Sequence, residues 1–181
     1  MDTLKTKKYK YVKNMLSLDI VDFLSTWSLR NFYVKPDNMV LECFSIHSEE
    51  SEIYRHVLHY LKPIMEIETG LSLKPIYSYN RVYMGGSELK KHKDREECEI
   101  SASITLKHYY DNKEYKWPLC MGDLRLVINE GDGVIYRGHD IEHWRPVFTQ
   151  PKQCWHHQLF VHYVDLNGPF KNIEEELEFK G

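Results

Sequence analysis

The sequence predicts a mainly β protein of the α+β kind, an antiparallel sandwich or barrel supported by helices from its N-terminal third. Three observations carry this. From about Lys74 onward the chain breaks into short runs rich in Tyr, Val, Ile and Thr, separated by Gly, Asp and Asn turns, which is the texture of antiparallel strands. Helical periodicity is confined to two stretches before that point. At 181 residues, 42% hydrophobic and 13% aromatic, the chain has the size of one domain, able to bury roughly 70% of its unfolded surface.

Taken in order, the basic cluster KTKKYKYVK near the N-terminus reads as a solvated arm. Residues 17–31, SLDIVDFLSTWSLRN, space Ile20, Val21, Phe23, Leu24, Trp27 and Leu29 at a helical period, with Ser17 in the capping position. MVLECFSI alternates as a strand does. A second helix begins at Ser48 or Ser51 with acids in its first turn, runs through Ile53, Val57, Leu58, Tyr60 and Leu61, and is ended or kinked by Pro63. The strand segments that follow are PIYSYNRVYM, CEISASITL, LRLVINEG, GVIYRG, WRPVF and HQLFVHYV, and the closing EEELEF is short enough to be a terminal turn or frayed helix. The expected division is one domain over 1–181, with helical support at 1–73, a β core at 74–166 and a tail at 167–181.

The charge is balanced to a net −3, without the one-signed excess of a disordered chain or a dedicated nucleic-acid binder, so nucleic acid is not an expected partner. No stretch approaches the 18 or so apolar residues of a membrane span, and lysines stand where a signal peptide needs its apolar run. A cytoplasmic protein without a membrane partner is the expectation. Cys43, Cys98, Cys120 and Cys154 never form a CxxC pair and read as reduced thiols.

The chemistry starts at KKHKD. His92 and Asp94 are two apart beside a strand pattern, and alternate residues of a strand share a face. About fifty residues later, in GDGVIYRGHDIEHWRPV, His143 follows a strand and turn signal at a separation that allows a neighbouring strand to bring it beside the pair. Two histidines and one carboxylate on one face of an octahedron leave the other positions open, the arrangement associated with non-heme Fe(II) oxygenases. HxD alone is not specific, because a solvated pair within KKHKDREE and a satisfied histidine beside Trp144 would look the same. The surrounding sequence decides.

The stretch YNRVYMGGSELKKHKD, then CEISASITL, then GDGVIYRGHDIEHWRPV and the closing HQLFVHYVD, resembles the Fe(II)/2-oxoglutarate-dependent oxygenases, specifically their prolyl-4-hydroxylase-like branch. The resemblance covers residues 75 to 166. It rests on a Tyr nine residues before the first metal His, a glycine pair between them, HxD, a GD turn leading into a strand, and a His followed shortly by Pro-Val. It implies a double-stranded β-helix, or jelly-roll, core with the N-terminal helices packed on one sheet. It further implies that His92, Asp94 and His143 ligate Fe(II), that Tyr83 hydrogen-bonds the far carboxylate of 2-oxoglutarate, and that O2 is the second cosubstrate. His139 is the rival to His143, ranked below it because Pro146-Val147 follows His143 at the family's distance. The implied reaction couples oxidative decarboxylation of 2-oxoglutarate to hydroxylation of a protein side chain or small metabolite.

The sequence departs from the family at the basic residue that normally pairs with that carboxylate, about ten positions after the second metal His, where Gln153 stands. An unpaired carboxylate in a water-poor barrel costs several kcal/mol, so a cation is still required. Strand parity offers Arg145, two after His143; Arg81, two before Tyr83; and His156, on a common face with Gln158, Phe160 and His162. Guanidinium forks match carboxylates, which favours the arginines. Arg95 points the other way by the same parity and reads as a structural ion-pair partner. Tyr77, Tyr79, Trp117, Trp144 and Trp155 are core or pocket-wall residues, and FTQPKQCW is a candidate lid. Two further readings stay open: a non-catalytic jelly-roll protein that binds a metal or ligand, and a cupin-type metalloenzyme, which Asp rather than His at position 94 disfavours.

Overall fold

A computed structural model of the chain describes residues 3–31, 40, 43–47 and 51–174. In chain order the elements are α1 (Thr3–Lys7), β1 (Tyr9–Val12), α2 (Leu18–Arg30), β2 (Cys43–His47), α3 (Glu52–Thr69), β3 (Leu73–Met84), β4 (Leu89–His92), β5 (Ile100–Tyr109), β6 (Leu119–Met121), β7 (Leu124–Leu126), β8 (Gly133–Tyr136), β9 (His143–Arg145) and β10 (Trp155–Asp165). The strands form a major sheet of order β1-β8-β5-β10-β3-β2 and a minor sheet of order β4-β9-β6-β7, antiparallel at each pairing. The fold is mainly β, a jelly roll with its helices on one side, as expected.

Alternation along the central strands sets the two layers. Ile100, Ala102, Ile104 and Leu106 of β5 and Leu159, Val161 and Tyr163 of β10 pack with Val21 and Leu24 of α2 and with Val57, Leu58, Leu61 and Met65 of α3. The residues between them face the minor sheet. Each buried Leu or Ile on the helix side contributes about 1.5–3 kcal/mol of transfer free energy, so this layer is where most of the stability resides. The buried stripe of α2 is narrower than its sequence pattern, because Phe23 and Leu29 are 59% and 39% exposed while the small Ser25 and Ser28 are buried.

Several expectations change. The N-terminal basic cluster is not a solvated arm: its Tyr9–Val12 segment is an edge strand paired with β8, and Lys10 reaches Glu68 at 2.8 Å. Pro63 does not end the second helix, which runs on to Thr69 and stops at Gly70, whose φ of 70° suits glycine and whose N–H bonds the Glu66 carbonyl. Ser17 occupies the N-cap position of α2 without a side-chain capping bond. The LRLVINEG segment is a strand only over Leu124–Leu126, and β6 within WPLCM is a strand the sequence did not signal. β9 stops at Arg145 because Pro146 has no N–H to continue the ladder. Residues 39, 41 and 42 of MVLECFSI and 175–179 of EEELEF lie outside the described residues. The four cysteines are free and buried, and no described helix is long and apolar enough to cross a membrane.

Candidate metal centre

β4 and β9 pair so that His92 and His143 stand directly opposite each other, their ring centroids 4.4 Å apart. β4 ends at His92, so strand alternation does not deliver Asp94. The turn does: the Asp94 N–H donates to the Gly138 carbonyl at 3.0 Å and brings the carboxylate over the two rings. Asp94 Oδ1 then lies 3.4 Å from His92 Nε2 and 3.5 Å from His143 Nε2. The close approach requires glycine at 138, where a Cβ would fall 2.4 Å from Asp94 Oδ2 and 2.6 Å from the Cys98 carbonyl.

Hydrogen bonds decide the tautomers. His92 Nδ1 is 2.8 Å from the Lys90 carbonyl and His143 Nδ1 is 3.1 Å from the Ile141 carbonyl. A carbonyl only accepts, so both Nδ1 atoms carry their protons and a neutral ring presents its Nε2 lone pair to the Asp94 side. When the rings are protonated their Nε2–H groups donate to Asp94 instead: burial pushes the Asp94 carboxyl up, but these bonds from His143 and His92 outweigh it and hold the group far below the usual carboxylate range. The same contact with Asp94 raises His92. The cluster therefore favours a positive charge at its centre, and Asp94 Oδ2 is buried with no hydrogen-bond partner. Two imidazole nitrogens and a carboxylate suit a divalent cation of the Fe(II) type, so these residues fit the implied metal.

A second constellation surrounds Tyr83, on the inner face of β3. Tyr83 is fully buried, its oxygen accepts from Arg81 at 3.1 Å, and its own O–H has no acceptor among the described residues. The guanidinium of Arg81 lies 5.5 Å and that of Arg145 6.0 Å from its ring centre. Arg145 is 1% exposed, stacks on Trp117, and donates to the Trp117 carbonyl at 3.0 Å and to Gln158 Oε1 at 2.9 Å. Among the described residues no carboxylate meets it and its Nε has no partner. A buried cation without a counter-ion is an anion site by its electrostatics.

His156 is not such a cation. Gln158 Nε2 donates to Ser103 Oγ at 3.0 Å, which orients the amide so that its oxygen accepts from His156 Nε2 at 2.8 Å. His156 Nδ1 in turn accepts from Tyr110 at 2.7 Å. Burial, with Arg145 nearby, holds this imidazole well below its ordinary range, so both ring nitrogens are engaged in a neutral ring. Gln158 is thus the hub that ties Arg145 to the major sheet, a role invisible in sequence beyond its inward parity. His156 and His157 are both buried.

The remaining expectations separate. His139 stands outside the cluster, 3.4 Å from Asp140 and edge-on to Phe170. Arg95 is exposed beside Glu97. Gln153 is at the surface, where it donates to Asp111 at 2.8 Å. The FTQPKQCW segment is not a free lid: Gly85, Gly86 and Ser87 bond it through Cys154 and Phe148, and a Cβ on Gly85 would fall 2.3 Å from the Gln150 and Pro151 carbonyls.

In sequence, no family model and no curated protein matches the chain. In structure it is similar to a prolyl-4-hydroxylase from Pseudomonas putida, at 14% identity over 89% of this chain and 95% of that one, with a TM-score of 0.65. An oxidoreductase of the 2OG-Fe(II) oxygenase family from Burkholderia pseudomallei is similar at 12% identity over 92% and 88%, TM-score 0.69. So is HygX from Streptomyces hygroscopicus, solved with nickel and 2-oxoglutarate bound, at 9% identity over 91% and 85%, TM-score 0.67. At these identities the likeness is one of fold. The chain has the double-stranded β-helix of these oxygenases.

Proposed function

We propose that this chain is an Fe(II)- and 2-oxoglutarate-dependent oxygenase that hydroxylates a C–H bond of a protein side chain or small metabolite. The observation that carries the reading is the His92, Asp94 and His143 cluster, with both Nδ1 protons committed to backbone carbonyls and both Nε2 atoms facing the carboxylate. These three residues would hold Fe(II), which when bound supplies the O2 chemistry that couples decarboxylation of 2-oxoglutarate, giving succinate and CO2, to hydroxylation.

The chain's own residues do the rest. Arg145 takes the far carboxylate of 2-oxoglutarate, replacing the basic residue that Gln153 does not supply. Gln158 and the Trp117 carbonyl aim its fork, leaving Nε to the ligand. Tyr83 donates its O–H to the same carboxylate while Arg81 holds its oxygen. His156, neutral, adds no competing charge. Trp117, Phe148 and Tyr110 keep water from the ion pair, which strengthens it. The free, buried cysteines suit a reducing compartment, and the cytoplasm is the location assigned.

The test is succinate formation from 2-oxoglutarate with added Fe(II) and O2, alone and with panels of peptides and metabolites. Stoichiometric succinate with a hydroxylated product supports the oxygenase. One bound Fe(II) per chain with no succinate under any panel makes the protein a non-catalytic metal-binding jelly roll.

A further inference from the structure

The two oxygens of Asp94 face different ways. Oδ1 meets His92 and His143, whereas Oδ2 lies against Gly138, where a single added Cβ would touch Asp94 Oδ2, the Cys98 carbonyl and Ser101 Oγ together. On that side stand Cys98, from the 3-10 turn Glu96–Cys98, and His162, from β10. Both are buried, and one ligand atom from each of Asp94, Cys98 and His162 lies within 4.8 Å of the others.

The tautomer logic of the first centre repeats here. Ser101 donates its one hydroxyl proton to the Cys98 carbonyl at 3.1 Å, so at 2.8 Å it accepts from His162 Nδ1. A neutral His162 then carries its lone pair on Nε2. Tyr77 holds Cys98 Sγ at 3.0 Å, and its ring stacks on His162 at 4.4 Å, which fixes the thiol and the imidazole in place. Three donors of different softness thus converge, one of them a carboxylate oxygen buried with no hydrogen-bond partner.

The geometry points to a second cation site, built from Asp94 Oδ2, Cys98 Sγ and His162, that takes a thiophilic divalent cation such as zinc and shares Asp94 with the first centre as a bridging carboxylate. A thiolate selects zinc-like ions over Fe(II), whereas the two-imidazole, one-carboxylate set of the first centre does not. Binding displaces the thiol proton, which leaves to solvent while the sulfur forms the bond to the metal. The inference needs no turnover of 2-oxoglutarate.

Cobalt(II) is the probe, because zinc is spectroscopically silent. Titration of the full chain under argon, without 2-oxoglutarate, is expected to fill two sites per chain and to develop a thiolate-to-cobalt absorption in the near ultraviolet. Cys98→Ser should lose the band and keep one cobalt. His162→Gln should weaken the band-forming site by tenfold or more, and this second variant decides the matter if Cys98→Ser does not fold. His143→Ala should keep the band. A wild-type chain that binds cobalt without the band overturns the site. So does a band that survives Cys98→Ser, which would belong to Cys43, Cys120 or Cys154, or a band lost in His143→Ala, which would belong to the first centre. A chain that makes no succinate but shows this pattern loses the oxygenase reading and keeps the second site.

Discussion

On β10 neighbouring residues live in two different solvents. His157, Leu159, Val161 and Tyr163 face the helices, and the polar groups among them are matched: His157 bonds Ser25 at 3.0 Å and Asn80 at 2.9 Å, and Tyr163 donates to the Leu58 carbonyl at 2.6 Å. His156, Gln158, Phe160 and His162 face the minor sheet, among Arg145, Arg81 and Asp94. There, Asp94 Oδ2 and Arg145 Nε are buried without partners. A buried group left unmatched costs about 1–3 kcal/mol, more if charged. The helix-facing layer stabilises the fold and the inter-sheet layer spends part of that stability on keeping binding groups unsatisfied. The same strand serves both because its side-chain period is two.

The largest test separates the layers outright. Asp94→Ala or His143→Ala should abolish Fe(II) binding and succinate formation while the chain stays folded, whereas Leu159→Ala, on the opposite face of the sheet, should cost about 2–5 kcal/mol of stability and leave iron affinity unchanged. Calorimetric metal titration and denaturant unfolding on each variant read both quantities. If Leu159→Ala impaired metal binding as severely as His143→Ala, the two layers would not be independent.

Next comes Arg145. Losing a buried charge-assisted pair costs about 2–5 kcal/mol, so Arg145→Met should weaken 2-oxoglutarate binding by roughly 30-fold or more. In the absence of ligand the same change removes a buried charge that has no counter-ion; replacing even a paired buried ion and its partner with apolar side chains of similar volume is often neutral or stabilising by about 1–4 kcal/mol, and an unpaired one gives up no ion-pair energy. The ligand-free variant should therefore melt higher than wild type. A variant that melts lower, with unaltered 2-oxoglutarate affinity, would make Arg145 structural.

Tyr83→Phe should act in the same direction by less. Loss of a hydroxyl bonded to a charged group is worth about 1.5–3 kcal/mol, a ten- to hundredfold higher requirement for 2-oxoglutarate, with iron affinity and the rate at saturation nearly unchanged. An unaltered 2-oxoglutarate titration would remove Tyr83 from the site.

The last effect belongs to the helix layer and is read by pH. Burial lowers the His157 pKa to about 3, so the folded state holds the ring neutral while the unfolded chain takes up a proton below its ordinary value near 6.5. Stability from this group is fully present above pH 6.5 and falls as the pH drops from there toward 3, by at most about 1.4 kcal/mol per pH unit. His156 adds to the slope in the same sense. His157→Asn should flatten the fall between pH 6.5 and 5 by close to one proton, measured by urea unfolding at several pH values, and an unchanged slope would contradict a neutral buried ring.

What the sequence determined by itself was whatever rests on local periodicity and short spacing. The two helices, the long strands β3, β5 and β10, the inward parity of Tyr83, Arg81, Arg145, His156 and Gln158, and the HxD were all legible there, because each is written within a few consecutive residues, whereas the later histidine was reached only through the family resemblance. β6 and β7 were poorly legible, since three residues at a sheet margin carry no period. The tertiary structure alone decided where long-range partners meet. It paired Tyr9–Val12 with β8 and placed Gln153 on Asp111 at the surface rather than in the pocket. It showed that Gly138, sitting 44 residues after Asp94, is required by the carboxylate it underlies. His156, equal to the arginines by parity, was set apart only by Gln158 and Tyr110 closing on both its nitrogens. Protonation state depends on the partners at each ring atom and on burial, and those are properties of the folded chain.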